Sequence, residues 1–413
     1  VPGGAWRSIL PTGTKRSSVT VAPFQLDRVP VTNADFLKFV QTNAKWQRGR
    51  VPVMLADGGY LQHWQSPLAL GSAADPRQPV TGVSWFAARA YCEARGARLP
   101  TWYEWELAAA ADEQTRDARR SEGWQQKILG WYSRPSNQPL ARVGSHPANL
   151  YGLQDLHGLV WEWVEDFNAL MISGDSREQG DPDLLKFCGS GALALEDRES
   201  YATAMRIALL SSLQPASTTV NLGFRCAQAS AAPRKAASQP SETPLPTTSL
   251  YQVDASLETA SGRRTSFASG RGRVRVVTMF YSTCPMACPL IIDTLKNLDA
   301  ALPADERAGL DVLMLSMDPA HDTPLKLSQL ANERRLTDRR WMLARASSGD
   351  TRKLAATLGI QYRELDDGSF DHASMLVLLD AEGRVLARSG KLGNPAPDFV
   401  AAVRAALAAP VTS

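Results

Sequence analysis

The chain has 413 residues, 44% of them hydrophobic, which is enough for two or three domains with their own cores. A formal charge of +3 is close to neutral at this length, so neither nucleic acid nor another polyanion is the expected partner. No apolar run approaches the ~20 residues of a membrane-spanning helix, and five cysteines are too few for a disulfide-dense scaffold. The chain opens on Val1 with no signal peptide, as a processed mature chain or a trimmed one does.

In chain order, VTVAPFQLDRVPVTNADFLKFV (Val19 to Val40) reads as a strand and then a helix. Thr32 or Asn33 is its N-cap, and Phe36, Phe39 and Val40 form its buried face. From Gln78 to Ala111 two helical stretches are separated by Gly96 and Pro100. YGLQDLHGLVWEWVEDF and NLGFRCA follow. Residues 229–248 are rich in Ala, Ser and Pro without hydrophobic period, and read as an extended linker between domains at 1–228 and 249–413. Ten of the eleven Trp precede it.

Beyond the linker, the apolar run Val274 to Tyr281 leads into YSTCPMACPL and a helical stretch, Leu290 to Leu302. Cys284 and Cys288 therefore sit where a buried strand hands over to a helix. A helix N-terminus favours thiolate over thiol, and thiolate is both a nucleophile and a soft metal ligand. Two such sulfurs fit a redox dithiol or half a metal site. Further strands are expected at Leu310 to Met317, Trp341 to Ala344, Met375 to Leu379 and Val385 to Ser389. Helices are expected at Leu325 to Arg334, Asp350 to Leu358 (ended by Gly359) and Phe399 to Leu407. This alternation indicates an α/β sheet flanked by helices.

Three motifs in this half, FYSTCPMACP, LMLSMDPAHDTP and FDHAS followed by LVLLDAEGR, resemble the Sco/SenC copper proteins of thioredoxin-like fold. The resemblance implies copper held by Cys284, Cys288 and His372, a donor set suited to Cu(I) and acceptable to Cu(II). It also implies a second-shell role for Asp318, whose alternative is a helix cap before Pro324. Met286 reads as a hydrophobic cover and His321 as a surface residue.

The N-terminal phrases VPGGAW, PVTNADF, GVSWFAARAYCEARGARLPTWYEWELAA, YGLQDLHGLVWEWV and NLGFRC resemble the formylglycine-generating enzyme, or sulfatase-modifying factor, family. That implies an irregular α+β, C-type-lectin-like domain with a Cys92–Cys226 disulfide, which requires an oxidising compartment. It also implies calcium held by the carboxylates of Asp155 and Glu162 and the carbonyls of Gly158 and Val160. The alternative there is a carboxylate pair satisfied by local backbone N–H groups. The family's catalytic cysteine positions fall near Leu193 and Arg198, which cannot ligate copper. The domain is therefore expected to be catalytically inactive, like the cysteine-poor versions associated with nitrite reductase systems. Cys188 reads as a small buried hydrophobe or a lone thiol in the old cleft. His146 and His157 read as packing residues, and Gly174 to Asp183 as a solvated loop.

Together these readings indicate a periplasmic copper-binding maturation factor. It would load an apo-cuproenzyme such as a nitrite reductase, a nitrous oxide reductase or an oxidase, with the N-terminal domain for docking. The alternative is an enzyme, a thiol–disulfide oxidoreductase using Cys284 and Cys288 on copper-ligand cysteines. In a third reading the N-terminal cleft is a ligand-binding module.

Overall fold

The computed structural model describes residues 1–10, 18–132, 139–170, 201–228, 244–284, 287–365 and 367–409. Cys188, Leu193, Arg198, Met286, the acidic stretch 174–183 and linker residues 229–243 lie outside them. The chain divides into two compact units, one built from Val1–Met171 and Leu184–Arg234, the other mainly from Lys235–Ser413.

Among its described residues the N-terminal unit carries only short strands: β1 (Gly4–Trp6), β2 (Val19–Val21), β3 (Gln25–Leu26), β4 (Trp161–Glu162), β5 (Leu222–Gly223) and β6 (Ala227–Gln228). Its helices are α1 (Asn33–Thr42), α2 (Trp85–Ala94), α3 (Trp102–Ala109), α4 (Glu122–Tyr132) and α5 (Tyr201–Ser211). With so little sheet, aromatic packing and capping shape the core. Thr32 caps α1 by accepting from Asp35 N–H, which leaves Phe36, Phe39 and Val40 buried. Phe36 meets Phe39, Trp64, Tyr91 and Phe224 with ring centroids 5.4 to 6.3 Å apart. Thr101 and Glu104 form a reciprocal capping box that starts α3 directly after the Pro100 break. Cys92 on α2 is bridged to Cys226, 134 positions away, with a Cα–Cα separation of 5.6 Å.

The C-terminal unit is built on a seven-stranded sheet of order β15-β14-β9-β10-β11-β7-β8. These strands are β7 (Ser256–Thr259), β8 (Arg264–Ser266), β9 (Val274–Phe280), β10 (Leu310–Ser316), β11 (Trp341–Ala346), β14 (Leu376–Leu379) and β15 (Val385–Ser389). β9, β10 and β11 run parallel; the other strands pair antiparallel. Helices α6 (Ala287–Ala300), α7 (Ala304–Ala308), α8 (Pro324–Glu333), α9 (Ser348–Leu358) and α10 (Pro397–Ala408) complete this thioredoxin-like unit. β9 and β10 are buried over almost their whole length, as parallel strands covered on both faces must be. A separate two-stranded sheet, β12 (Tyr362–Glu364) with β13 (Phe370–His372), ends on His372. Functional groups gather at the carboxyl ends of β9 and β10, the usual place in an open α/β sheet.

Candidate metal centre

The register Ser316↔Phe280 aligns the ends of β9 and β10, so the segments leaving them are neighbours. From β9 the chain passes Tyr281 to Cys284 and enters α6 at Ala287, earlier than the expected start at Leu290. Cys288 thus lies inside the first turn of α6. Its N–H donates to Cys284 Sγ at 3.3 Å, and Tyr281 N–H donates to Cys288 Sγ at 3.4 Å. Backbone donors therefore fix the directions of both sulfurs. His372 arrives from β13, and one ligand atom from each of Cys284, Cys288 and His372 lies within 4.8 Å of the others. Cys288 is buried, Cys284 and His372 half-buried. This is the one such cluster of three donors among the described residues.

The expectation that the helix terminus favours thiolate meets an opposing local effect. The neighbouring Cys284 sulfur first, and burial second, push the Cys288 thiol well above its ordinary pKa, while the Tyr281 amide pulls the other way. A bound cation would reverse the balance, because a soft metal takes thiolate and releases the protons. Two thiolates and an imidazole suit a soft, low-coordinate ion.

Tyr281, absent from the sequence-based site, touches all three donors. Besides its amide bond to Cys288, its hydroxyl lies beside Cys284, and burial pushes its pKa up to about 12. The same oxygen accepts from Phe370 N–H at 3.5 Å, and the ring stands edge-on to His372, 5.8 Å between centroids at 87°.

The two acids of the DPAHD phrase divide differently from expectation. The Asp318 carboxylate receives His321 Nδ1 at 2.9 Å, so it holds a side chain of its own loop. Asp322 instead faces the cysteine loop: its carboxylate accepts from Ser282 N–H at 3.2 Å and from Ser316 Oγ at 2.5 Å. Of the two acids it is thus Asp322 that contacts the cysteine loop, and Thr323 is the cap of α8. Only the repeated acid four positions on in the phrase signalled it.

In the N-terminal unit the four residues linked to calcium lie together on and before β4. Glu162 is fully buried against Arg225, which donates through Nε and Nη2 at 2.8 to 3.0 Å, and it also accepts from Trp105 Nε1 at 2.9 Å. Asp155 accepts from Gly144 N–H and from His146, through its amide at 3.1 Å and Nδ1 at 2.8 Å. A calcium ion would have to share Glu162 with a guanidinium and Asp155 with an imidazole. The arrangement does not favour it, and of the alternative, a pair satisfied by local backbone N–H groups, only Asp155 fits, through Gly144 and His146; Glu162 is satisfied by side chains from distant elements. His157 donates from Nε2 to Ala109 O (2.9 Å) and packs between Trp105 and Trp124, where burial pulls its pKa down to about 4. It lines, with Trp124, Lys127, Trp131 and His146, a cavity of about 240 Å³.

Comparison with known proteins follows the same division. The model of the "Sulfatase-modifying factor enzyme 1-like domain" matches residues 1–230, and that of "SCO1/SenC" matches residues 247–408. Mouse inactive C-alpha-formylglycine-generating enzyme 2 is 31% identical over 252 residues, covering 52% of this chain and 79% of that protein. The formylglycine-generating enzyme of Streptomyces coelicolor is 30% identical over 252 residues, covering 51% of this chain and 79% of the enzyme. Among solved structures, Arabidopsis thaliana ScoI with copper bound overlaps 37% of this chain and 98% of its own, at 18% identity and TM-score 0.32. A SCO1/SenC family lipoprotein from Bacillus anthracis overlaps 37% and 93%, at 19% identity and TM-score 0.35. With the irregular aromatic unit followed by the thiol-bearing sheet, the chain belongs to the sulfatase-modifying factor (formylglycine-generating enzyme) family over its first 230 residues and continues, in one polypeptide, into a SCO1/SenC domain.

Proposed function

We propose that the C-terminal unit binds copper as cargo at Cys284, Cys288 and His372 and passes it to an apo-cuproenzyme. The observation that carries this reading is the convergence of two sulfurs and one imidazole within 4.8 Å at the end of a buried strand. Three ligands leave the ion open to attack, so an incoming Cys, His or Met of the recipient can enter before a resident ligand leaves. A copper-dependent nitrite reductase, nitrous oxide reductase or oxidase is the recipient class, and the N-terminal unit is its docking module rather than an oxidase. The compartment is the periplasm; the Cys92–Cys226 bridge supports an oxidising location.

The test is anaerobic copper titration of the fully reduced chain. One equivalent bound per chain, with proton release, is expected. His372→Ala should weaken binding while leaving the dithiol potential close to wild type.

A second reading follows from the two sulfurs themselves, which lie within 4.8 Å of one another, near enough for exchange chemistry. In that reading one sulfur attacks a substrate disulfide and the other resolves the mixed disulfide. The substrate is reduced to two thiols and Cys284–Cys288 is oxidised. Weak copper binding together with rapid turnover of a disulfide substrate would favour it over the chaperone. Formylglycine formation on a sulfatase peptide would overturn the inactive assignment of the N-terminal unit.

A further inference from the structure

The three donors are not held alike. Cys284 and Cys288 belong to the β9–α6 turn, where both sulfurs accept backbone N–H bonds at 3.3 and 3.4 Å. Either sulfur must give up a main-chain bond to turn away. His372 comes instead from β13, which pairs with β12 in a two-stranded sheet of its own, and its ring Nδ1 donates at 3.4 Å to the carbonyl of adjacent Ala373, a bond that moves with the same segment. At the site, that small sheet rests on Tyr281. Phe370 packs on the Tyr281 ring at 5.0 Å and gives its N–H to the Tyr281 hydroxyl at 3.5 Å, and the His372 ring stands edge-on to the same ring. On its far side the sheet is tied down by Arg352, which lies 4.2 Å over the Tyr362 ring and donates to the Tyr362 carbonyl at 3.1 Å.

We propose that Tyr281 is a positioning residue that docks the imidazole-bearing strand against the two sulfurs, which makes His372 the donor that yields first when copper is handed on. The inference rests on the copper reading above and adds to it an order of ligand exchange. The thiolates keep the ion in a two-coordinate grip, which Cu(I) tolerates. The imidazole is released as the recipient's ligand enters. No electron changes hands: one copper–nitrogen bond breaks and one bond to the recipient forms. The aromatic face provides the alignment, so the ring matters more than the hydroxyl.

The test compares full-length wild type, Tyr281→Phe, Tyr281→Leu and His372→Ala. Cu(I) transfer to a chromophoric chelator is timed by stopped flow. Nitrogen coupling and sulfur-to-copper charge transfer are read on the Cu(II) forms, and the His372 ring resonances on the reduced, copper-free forms. Tyr281→Leu should speed release by about 10–100-fold, the usual scale for an orienting partner. It should weaken the nitrogen coupling and keep the sulfur bands, approaching His372→Ala. Tyr281→Phe should stay within about threefold of wild type by the same scale. The proposal is overturned if Tyr281→Leu folds and keeps wild-type release and nitrogen coupling. If Tyr281→Leu does not fold, a Tyr281→Phe variant that matches His372→Ala in release and coupling overturns it. If wild type binds no copper, the copper reading itself falls. The docking claim is then judged by the His372 resonances, which should shift in Tyr281→Leu and hold in Tyr281→Phe.

Discussion

Asp322→Asn tests how the cysteine loop is held. The carboxylate is 1% exposed and accepts from two donors, Ser282 N–H and Ser316 Oγ, which belong to the two strand ends flanking the site. Both bonds fall on Oδ2, so an asparagine with its amide oxygen in that place keeps the shape and both contacts but accepts as a neutral group, and its NH₂ then meets Ser282 N–H where Oδ1 stood. A bond to a charged acceptor contributes about 1.5–3 kcal/mol, and a loss of that size in unfolding free energy is expected. Because Ser282 lies two residues before Cys284, the loosened loop should also lower copper affinity by about 10–100-fold, the scale for outer-shell partners. Asp318→Asn is the control. Its partner His321 is 64% exposed, and such a pair is worth at most about 1 kcal/mol. Chelator competition gives the affinities and urea unfolding the stabilities. The reasoning is refuted if Asp322→Asn binds copper like wild type, or if Asp318→Asn binds more weakly than Asp322→Asn.

Three further outcomes follow from the N-terminal unit. Replacing Cys92 and Cys226 by Ala should lower its stability by up to about 5 kcal/mol, from the 134-residue separation and the chain-entropy relation; tryptophan fluorescence in urea reports it, and a change below about 1 kcal/mol would contradict the expectation. His157 has a native pKa of about 4 against an ordinary 6.5, so the unfolded chain takes up that proton first as pH falls. Its contribution should be complete above pH 6.5 and decline towards pH 4, by about 1–3 kcal/mol, and His157→Gln should flatten that slope in a pH series of melting curves. Glu162→Gln should cost about 3–5 kcal/mol by leaving Arg225 charged and buried, whereas Glu162→Leu with Arg225→Met should recover most of it in a double-mutant cycle.

Much of the C-terminal fold is legible in the sequence because its central strands are buried on both faces. Val274 to Tyr281 and Leu310 to Met317 are largely apolar runs, interrupted only by Arg275 and Thr278 and by Asp311 and Ser316, and each matches its strand to within a residue. Gly359, at φ +74°, ends α9 where an L-residue would be strained. The edge hairpin β7–β8 and the β12–β13 pair are not legible. Their strands are three or four residues long and mixed in polarity, and only pairing partners fixed elsewhere make them strands. In the N-terminal unit the caps of α1 and α3 can be read locally, because the capping side chain and the amide it serves lie three positions apart.

The site divides along the same line between local and long-range information. Cys284 and Cys288 are four positions apart on one turn, so their proximity needs no tertiary fold; His372 joins them in the sequence only through resemblance. What resemblance could not decide is which neighbour orients them, because each orienting contact crosses between strands. Asp322 reaches Ser282 across 40 positions and Phe370 reaches Tyr281 across 89. A phrase with two acids four residues apart offers both as candidates. The choice belongs to the register of β9 against β10, which directs Asp322 to the cysteine loop while Asp318 turns to His321. The Glu162–Arg225 pair, 63 positions apart, obeys the same rule. The motif names an acid, but whether that acid meets an ion or a guanidinium depends on which distant side chain the fold delivers to it. A donor set read from sequence is therefore secure where one turn carries it, and conditional wherever its charge balance is completed from another element.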